Sequence, residues 1–319
     1  MNTLARLIIL SLVVLFTACD NKSHPILKVG ISPWPGYEPL ALAAEKQFYD
    51  NAHIRIVRFA TPTESYRALR DGIIDVAAFT ADEVFHYAEV RDQPRIFLVL
   101  DISNGADAIV ANKNIKTLDD LKGKRLGVEG SALGDYVINR SLDFATDLKL
   151  SDVILKHVEI IEQEKAFINN EIDAAVTYEP SKSLLINAGA HVLFDSSKIP
   201  NEIVDVLVTN EETIAKRSDE LQELSQGWFK ALKYIDENYD QAMVEMSLNE
   251  ATSTQEFQKG FEDLIIPSQK ENVKMLGENG ALLKPMQKLS SLMFDKNSLK
   301  KRIDVKPLLD DSIVNELRN

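Results

Sequence analysis

From residue 26 onward the apolar and polar positions fall into short, alternating blocks. Ile26-Leu27-Lys28-Val29-Gly30-Ile31 is a mostly apolar run and predicts a strand. Ser32-Pro33-Trp34-Pro35-Gly36-Tyr37 follows as a turn by its proline and glycine content, and 39–47 as a short helix. His53 to Phe59 alternates as a strand should, with Ile54 and Ile56 on one face. Thr61-Pro62-Thr63-Glu64 is a capping box with proline at the first helical position, so a helix runs from there to Asp71-Gly72. Ile73 to Phe79 is a strand, and Thr80-Ala81-Asp82-Glu83 is a second capping box opening a helix to Val90. Ile96 to Leu100 is a strand again.

The pattern then restarts. Thr117 caps a short helix, Lys122-Gly123-Lys124 turns the chain, and Arg125 to Val128 is a strand ending at Glu129-Gly130-Ser131. Leu133, Val137, Ile138, Leu142 and Ala145 lie at helical spacing, and the alternation continues to His191–Phe194. After the strand from Val204 to Thr209 the texture is helical to the end. Leu221, Leu224, Trp228, Leu232 and Ile235 form one apolar stripe there, expected to pack in the core. Strands of about five residues alternating with helices of about ten predict βαβ units and mainly parallel sheets. The fold class is therefore α/β, in two units, with a helical C-terminal region.

The first 25 residues read differently. Arg6 precedes an apolar run from Leu7 to Phe16, too short to span a bilayer, which takes about 20 residues. Small residues follow it, and the segment 1–18 reads as a secretory signal peptide. Leu15-Phe16-Thr17-Ala18-Cys19 resembles a bacterial lipobox, although Phe16 departs from the usual residue there. A lone cysteine is more often a small buried apolar residue, but the position of Cys19 argues for acylation. That makes 19–25 a lipidated linker. Asp20 resembles an inner-membrane retention signal, which implies the periplasmic side of the inner membrane. Cys19 is the only cysteine, so no internal disulfide can form.

Charge narrows the partners. The 36 basic against 49 acidic residues leave a net charge of −13. That argues against nucleic acid, which needs a basic footprint, and favours a self-repelling monomer. Catalytic patterns are missing too. The five histidines, at 24, 53, 86, 157 and 191, are scattered. No H-E-x-x-H, G-x-S-x-G or P-loop appears, and Gly127, Gly130 and Gly134 do not have dinucleotide-binding spacing. No cofactor or metal is expected.

What remains is a set of polar strand-to-helix turns. Gly130-Ser131 is the best ligand-facing one, although Ser131 serves equally well as the cap of its own helix. Trp34 and Tyr37, held on a proline-fixed turn, can wall a pocket or pack as a satellite of the core. Asp82, Glu83, Asp101 and Asp107 cluster near strand ends; Glu83 reads more simply as the third residue of its capping box. The loop from Asp101 to Asp107, with Asn104, gathers polar groups without a helix pattern. Glu179-Pro180 follows a strand and faces the same crevice if the sheet is parallel.

With these elements placed, the chain resembles bacterial periplasmic solute-binding proteins of the nitrate, sulfonate, taurine and thiamine-precursor ABC transporter group. The carrying segments are Val29–Tyr37, Gly72–Ala78, Leu118–Val128 and Glu171–Pro180. The resemblance implies a two-lobed type II binding protein with its ligand cleft between the lobes. Lobe I would take 26–108 and 205–319, lobe II 109–204, with strands near Ala108–Ala111 and Val204–Thr209 as the hinge. It implies a cleft faced by Trp34, Gly36, Tyr37, Asp82, Asn104, Asp107, Gly130, Ser131, Tyr178 and Glu179. The partners implied are a small polar organic ligand and an ABC permease. Docking on a membrane sensor is the alternative, and a pyrimidine-precursor synthase is a remoter one, because that relative relies on a cysteine-rich motif this chain lacks. Acidic groups and no Lys or Arg stand in the turns. An amine-bearing, zwitterionic or neutral heterocyclic ligand therefore fits better than nitrate.

Overall fold

Residues 25–317, apart from residue 92, are described by a computed structural model. The expected signal peptide and Cys19, with the linker up to His24, lie outside the described residues. The strands, in chain order, are β1 (Leu27–Ile31), β2 (Ile54–Arg58), β3 (Val76–Thr80), β4 (Pro94–Ser103), β5 (Asp107–Ala111), β6 (Arg125–Val128), β7 (Ile154–His157), β8 (Ala174–Tyr178), β9 (His191–Asp195), β10 (Val204–Asn210) and β11 (Leu264–Ile265).

They form two sheets. One has the order β11-β4-β10-β3-β1-β2 and the other β7-β6-β8-β5-β9. Inner strands are covered on both faces, so they must be apolar throughout: β3 and β5 are buried at every position. β2, at a sheet edge, keeps the alternation, with Ile54 buried and Arg55 exposed. Helices flank the sheets. Thr61 caps Pro62–Arg70, its side chain accepting from the Glu64 amide, and Thr80 with Glu83 caps Ala81–Val90. Glu83 reaches back to the Thr80 amide as a capping box requires, whereas Glu64 accepts from the Ala60 amide, one residue before its cap.

The sheets are mixed, which corrects the expectation of mainly parallel ones. β1 runs parallel to β2 and β3, and β6 to β7 and β8. β10 is antiparallel to β3 and β4, and β5 is antiparallel to β8 and β9. The reason is topological: β5 and β10 are the strands by which the chain enters the opposite sheet, so they do not follow a crossover helix.

Those two strands lie wholly inside their sheets, which moves the crossing points away from them. The chain crosses at 104–106 and again at 196–203. The crossings are laced side by side. Ser103 and Ser196 share a hydroxyl hydrogen bond of 2.7 Å, the Gly105 amide donates to Ser196 Oγ at 2.7 Å, and the Ser103 amide donates to the Ile203 carbonyl at 3.1 Å.

The C-terminal helices return to the first sheet. Ser218–Glu237 packs against Glu38–Glu45 through the expected stripe, and Trp228 is fully buried. From the helix Gln269–Leu276, the buried Asn272 binds β4 edge-on. Its Oδ1 accepts from the Val99 amide at 2.6 Å and its Nδ2 donates to the Val99 carbonyl at 3.1 Å. A side-chain amide thus stands in for a missing strand next to the two-residue β11.

Candidate functional site

The turn after β1 carries the first wall. Trp34 is extended, and Pro35 sets the φ that starts a short 3-10 turn, Pro35–Tyr37. The indole N–H of Trp34 donates to Asp101 Oδ2 at 3.1 Å, and the Tyr37 hydroxyl donates to Asp205 Oδ1. The first of these bonds passes close over Gly36. A Cβ there would lie 2.0 Å from Asp101 Oδ2 and 2.7 Å from Trp34 Nε1. Gly36 therefore lets the backbone lie against Asp101 of β4.

The second wall comes from the other sheet. Glu129 follows β6, and Ser131 caps Ala132–Leu142, its hydroxyl accepting from the Gly134 amide at 3.1 Å. Tyr178 ends β8 and stands directly opposite Asp107 in the β5–β8 ladder. Its hydroxyl donates to Glu129 Oε2 at 3.3 Å. Across the gap, the Trp34 and Tyr178 rings meet edge to face with centroids 6.1 Å apart, and Tyr37 lies 6.5 Å from Trp34.

Between the walls is a narrow cleft. From the first sheet's side it is lined by Ser32, Pro33, Trp34, Tyr37, Pro62, Thr80, Glu83 and Asp205. From the second it is lined by Asp107, Glu129, Ser131, Leu133 and Tyr178. Four of these residues are acidic and none is basic. Burial pushes the Glu83 carboxyl up to about 8, helped by the neighbouring Asp82, and Asp107 up to about 7. Asp101 and Asp205 face each other across β4 and β10. Burial, and then the repulsion of Asp101, holds Asp205 well above the ordinary carboxyl range; burial raises Asp101 to about 7. Glu129 is raised as well, by burial first. Burial also lifts Tyr37 and Tyr178 well above their usual range, so both stay hydroxyl donors.

Of the ten residues expected at the ligand, Trp34, Tyr37, Asp107, Ser131 and Tyr178 line the cleft. Gly36 lies behind the Trp34 indole as spacing. Gly130 (φ +75°) shapes the turn before Ser131 against the His157 ring. The other three are placed elsewhere. Asp82 is buried behind the wall, where the helix turns it away from the cleft that Glu83 reaches. Asn104 is exposed on the crossing loop, its amide donating to the Asp263 carbonyl at 2.8 Å. Glu179 is sealed off. It accepts from the Ser183 amide and hydroxyl, each at 3.1 Å, and pairs with Lys182 at 3.3 Å. Lys182 also bridges to Asp263 at 2.5 Å. A helix-capping role thus claims Glu179, and Asp82 and Asn104 are set aside by the direction of their backbone.

The sequence did not single out Asp205, Glu129 or Thr80 for the cleft, and it placed Glu83 in an acidic cluster with Asp82, Asp101 and Asp107 while favouring a capping role for it. Glu83 is both, since its Oε2 accepts from the Thr80 amide at 3.1 Å while the residue lines the cleft. Asp205 did leave a signal: it is the one acid in the apolar run Ile203-Val204-Asp205-Val206-Leu207-Val208.

A family model described as NMT1/THI5 like matches residues 34–242. A putative binding protein of Brucella abortus is 33% identical over 75 residues, 24% of this chain and 23% of that protein, so the match spans about a quarter of the relative's length. Among solved structures, the periplasmic aliphatic sulphonate binding protein SsuA from Escherichia coli has a TM-score of 0.75 at 18% identity, covering 92% of this chain and 100% of that one. The ligand-binding component of an ABC-type import system from Staphylococcus aureus has a TM-score of 0.77 at 14% identity, covering 92% and 99%. The fold also carries catalysis: the desulfurization enzyme DSZB has a TM-score of 0.70 at 16% identity, covering 92% and 98%. These likenesses establish the two-lobed periplasmic binding protein fold.

Proposed function

The chain belongs to the NMT1/THI5-like family, and on that premise we propose that it captures a small polar organic solute outside the cytoplasm for an ABC importer. The observation that carries this reading is the cleft itself. It is lined from both sheets, by aromatic and polar side chains, beside two laced crossings. Solute bound there stabilises the closed arrangement over the open one, in proportion to its preference for it. Lobe I takes 26–103 and the chain from 204 onward, lobe II takes 107–195, and the two crossings, 104–106 and 196–203, join them. On this reading the chain is a binder of the solute and not a catalyst, in keeping with a cleft that no cysteine or histidine lines.

The chain is anchored by an acyl group on Cys19, facing the periplasm from the inner membrane. Fatty-acid labelling that survives Cys19→Ser rules the anchor out. Docking on a membrane signalling receptor is the second role the same clamp can serve; neighbouring permease and ATPase genes decide for transport, a kinase or cyclase gene for sensing. Closure is tested by small-angle scattering of the protein with and without a solute that raises its melting temperature. Compaction is expected, and an unchanged radius at saturation overturns the clamp. At solute 100 times its Kd, stabilisation of about 2.7 kcal/mol accompanies it.

A further inference from the structure

Resting on the reading of the cleft as a solute site, we infer that its solute is a small organic cation with N–H donors, a primary ammonium or an amidinium, on a flat body. Two side chains point to it. Asp107 and Asp205 both line the cleft, are 2% and 1% exposed, and each keeps an Oδ2 with no hydrogen-bond partner. A buried carboxyl oxygen left without a partner is costly, and a cation bound beside it favours the ionised form that accepts its N–H groups. Three donors near the cleft are already engaged. Tyr37 satisfies only Oδ1 of Asp205, and the Tyr178 hydroxyl is turned to Glu129. Lys182, a buried ammonium of the second sheet's side, is held by Glu179 and Asp263. A solute with N–H groups brings donors that these two oxygens can accept from.

The rest of the cleft agrees. Trp34, Tyr37 and Tyr178 supply π faces that attract a cation and cover a flat group. An anion would meet acids on both walls with no basic side chain to answer it. A metal ion is a poorer match, because among the described residues no group of three or more His, Cys, Asp or Glu is placed to hold one. A quaternary ammonium has the charge but no N–H, and leaves both Oδ2 atoms bare. Asp107 and Asp205 are thus the specificity-determining residues, one from each sheet, so that closure brings both onto one nitrogen group.

The test uses the full-length protein in detergent, titrated calorimetrically with benzylamine, benzamidine, benzyltrimethylammonium, benzyl alcohol and benzenesulfonate. Benzylammonium and benzamidinium should bind at least about tenfold more tightly than the alcohol or the quaternary ion. Asp107→Asn and Asp205→Asn should each weaken the two cations by about tenfold or more and leave the alcohol unchanged. Asp107→Asn should also melt no lower than the parent in the absence of solute, since it removes an unpaired buried acid. Benzenesulfonate binding more tightly than benzylammonium overturns the cation inference and leaves solute capture standing. Cation affinity unmoved by Asp107→Asn overturns it too. Failure of every probe, of any charge, at millimolar concentration counts against solute capture in this cleft and the inference falls with it. If neither variant folds, the order of affinities in the parent protein decides.

Discussion

Gly36 does more than its size suggests. It is the position where the Trp34 turn and Asp101 of β4 approach most closely, and a methyl there overlaps Asp101 Oδ2. In Gly36→Ala the indole or the carboxyl must move, and Asp101 then loses its only side-chain donor from the turn. A buried acceptor left unsatisfied costs about 1–3 kcal/mol. Gly36→Ala should therefore lower the melting temperature and weaken solute binding together; a variant that melts and binds like the parent sinks this account. From the sequence, Gly36 reads simply as a turn residue. Its neighbour in space, Asp101, is 65 positions later in the chain, and no local pattern links the two.

Elements were legible wherever their signals are local. The helix starts at Thr61 and Thr80 depend on contacts three or four residues apart and appear where expected, although only Thr80 has the returning glutamate of a capping box. The apolar stripe through Leu221, Leu224 and Trp228 likewise faces the core. Strand direction was not legible, because β5 and β10 are as apolar as any parallel inner strand and their partners come from distant segments. Asn272 belongs to the same class of hidden contact. On a helix it reads as a surface residue, yet it supplies both halves of a backbone pairing to Val99. Asn272→Ala leaves a buried amide and carbonyl without their partner and should cost about 2 kcal/mol or more. Asn272→Asp should fall between, since it can still accept from the Val99 amide but cannot donate to its carbonyl. Chemical denaturation measures both, and an alanine variant within about 0.5 kcal/mol of the parent contradicts the edge-strand role.

At the scale of the molecule, the buried acids give stability an unusual pH dependence. Glu83 and Asp107 have folded pKa values of about 8 and about 7, above their ordinary values, and Asp101 and Asp205 are raised with them. Between pH 5 and 8 the folded state then holds more protons than the unfolded one, so stability falls as pH rises through this window. Glu202, on the second crossing, works the other way. Burial pushes it up, but hydrogen bonds from Arg140, Lys288 and Tyr136 outweigh this and set it at about 2. Its contribution is present above the ordinary carboxyl range and is lost as pH falls toward 2. Solute-free protein should therefore melt highest near pH 5. The double variant Glu83→Gln, Asp107→Asn should flatten the decline from pH 5 to 8, as differential scanning calorimetry would register; a parent melting temperature that rises over that range refutes the assignment.

The same division runs through the whole protein. The sequence by itself determined the order of strands and helices, the two α/β units with a helical end, the excess of acid and the lack of cations in the turns. Each of these is written in nearest-neighbour spacing or in composition. Only the tertiary structure decided which acids share the cleft, because side-chain direction depends on the backbone that carries it. Asp82 and Glu83 are adjacent in sequence, yet only Glu83 lines the cleft. Asp107 and Asp205 lie 98 residues apart and meet there, because each begins or nearly begins the strand with which the chain enters a new sheet.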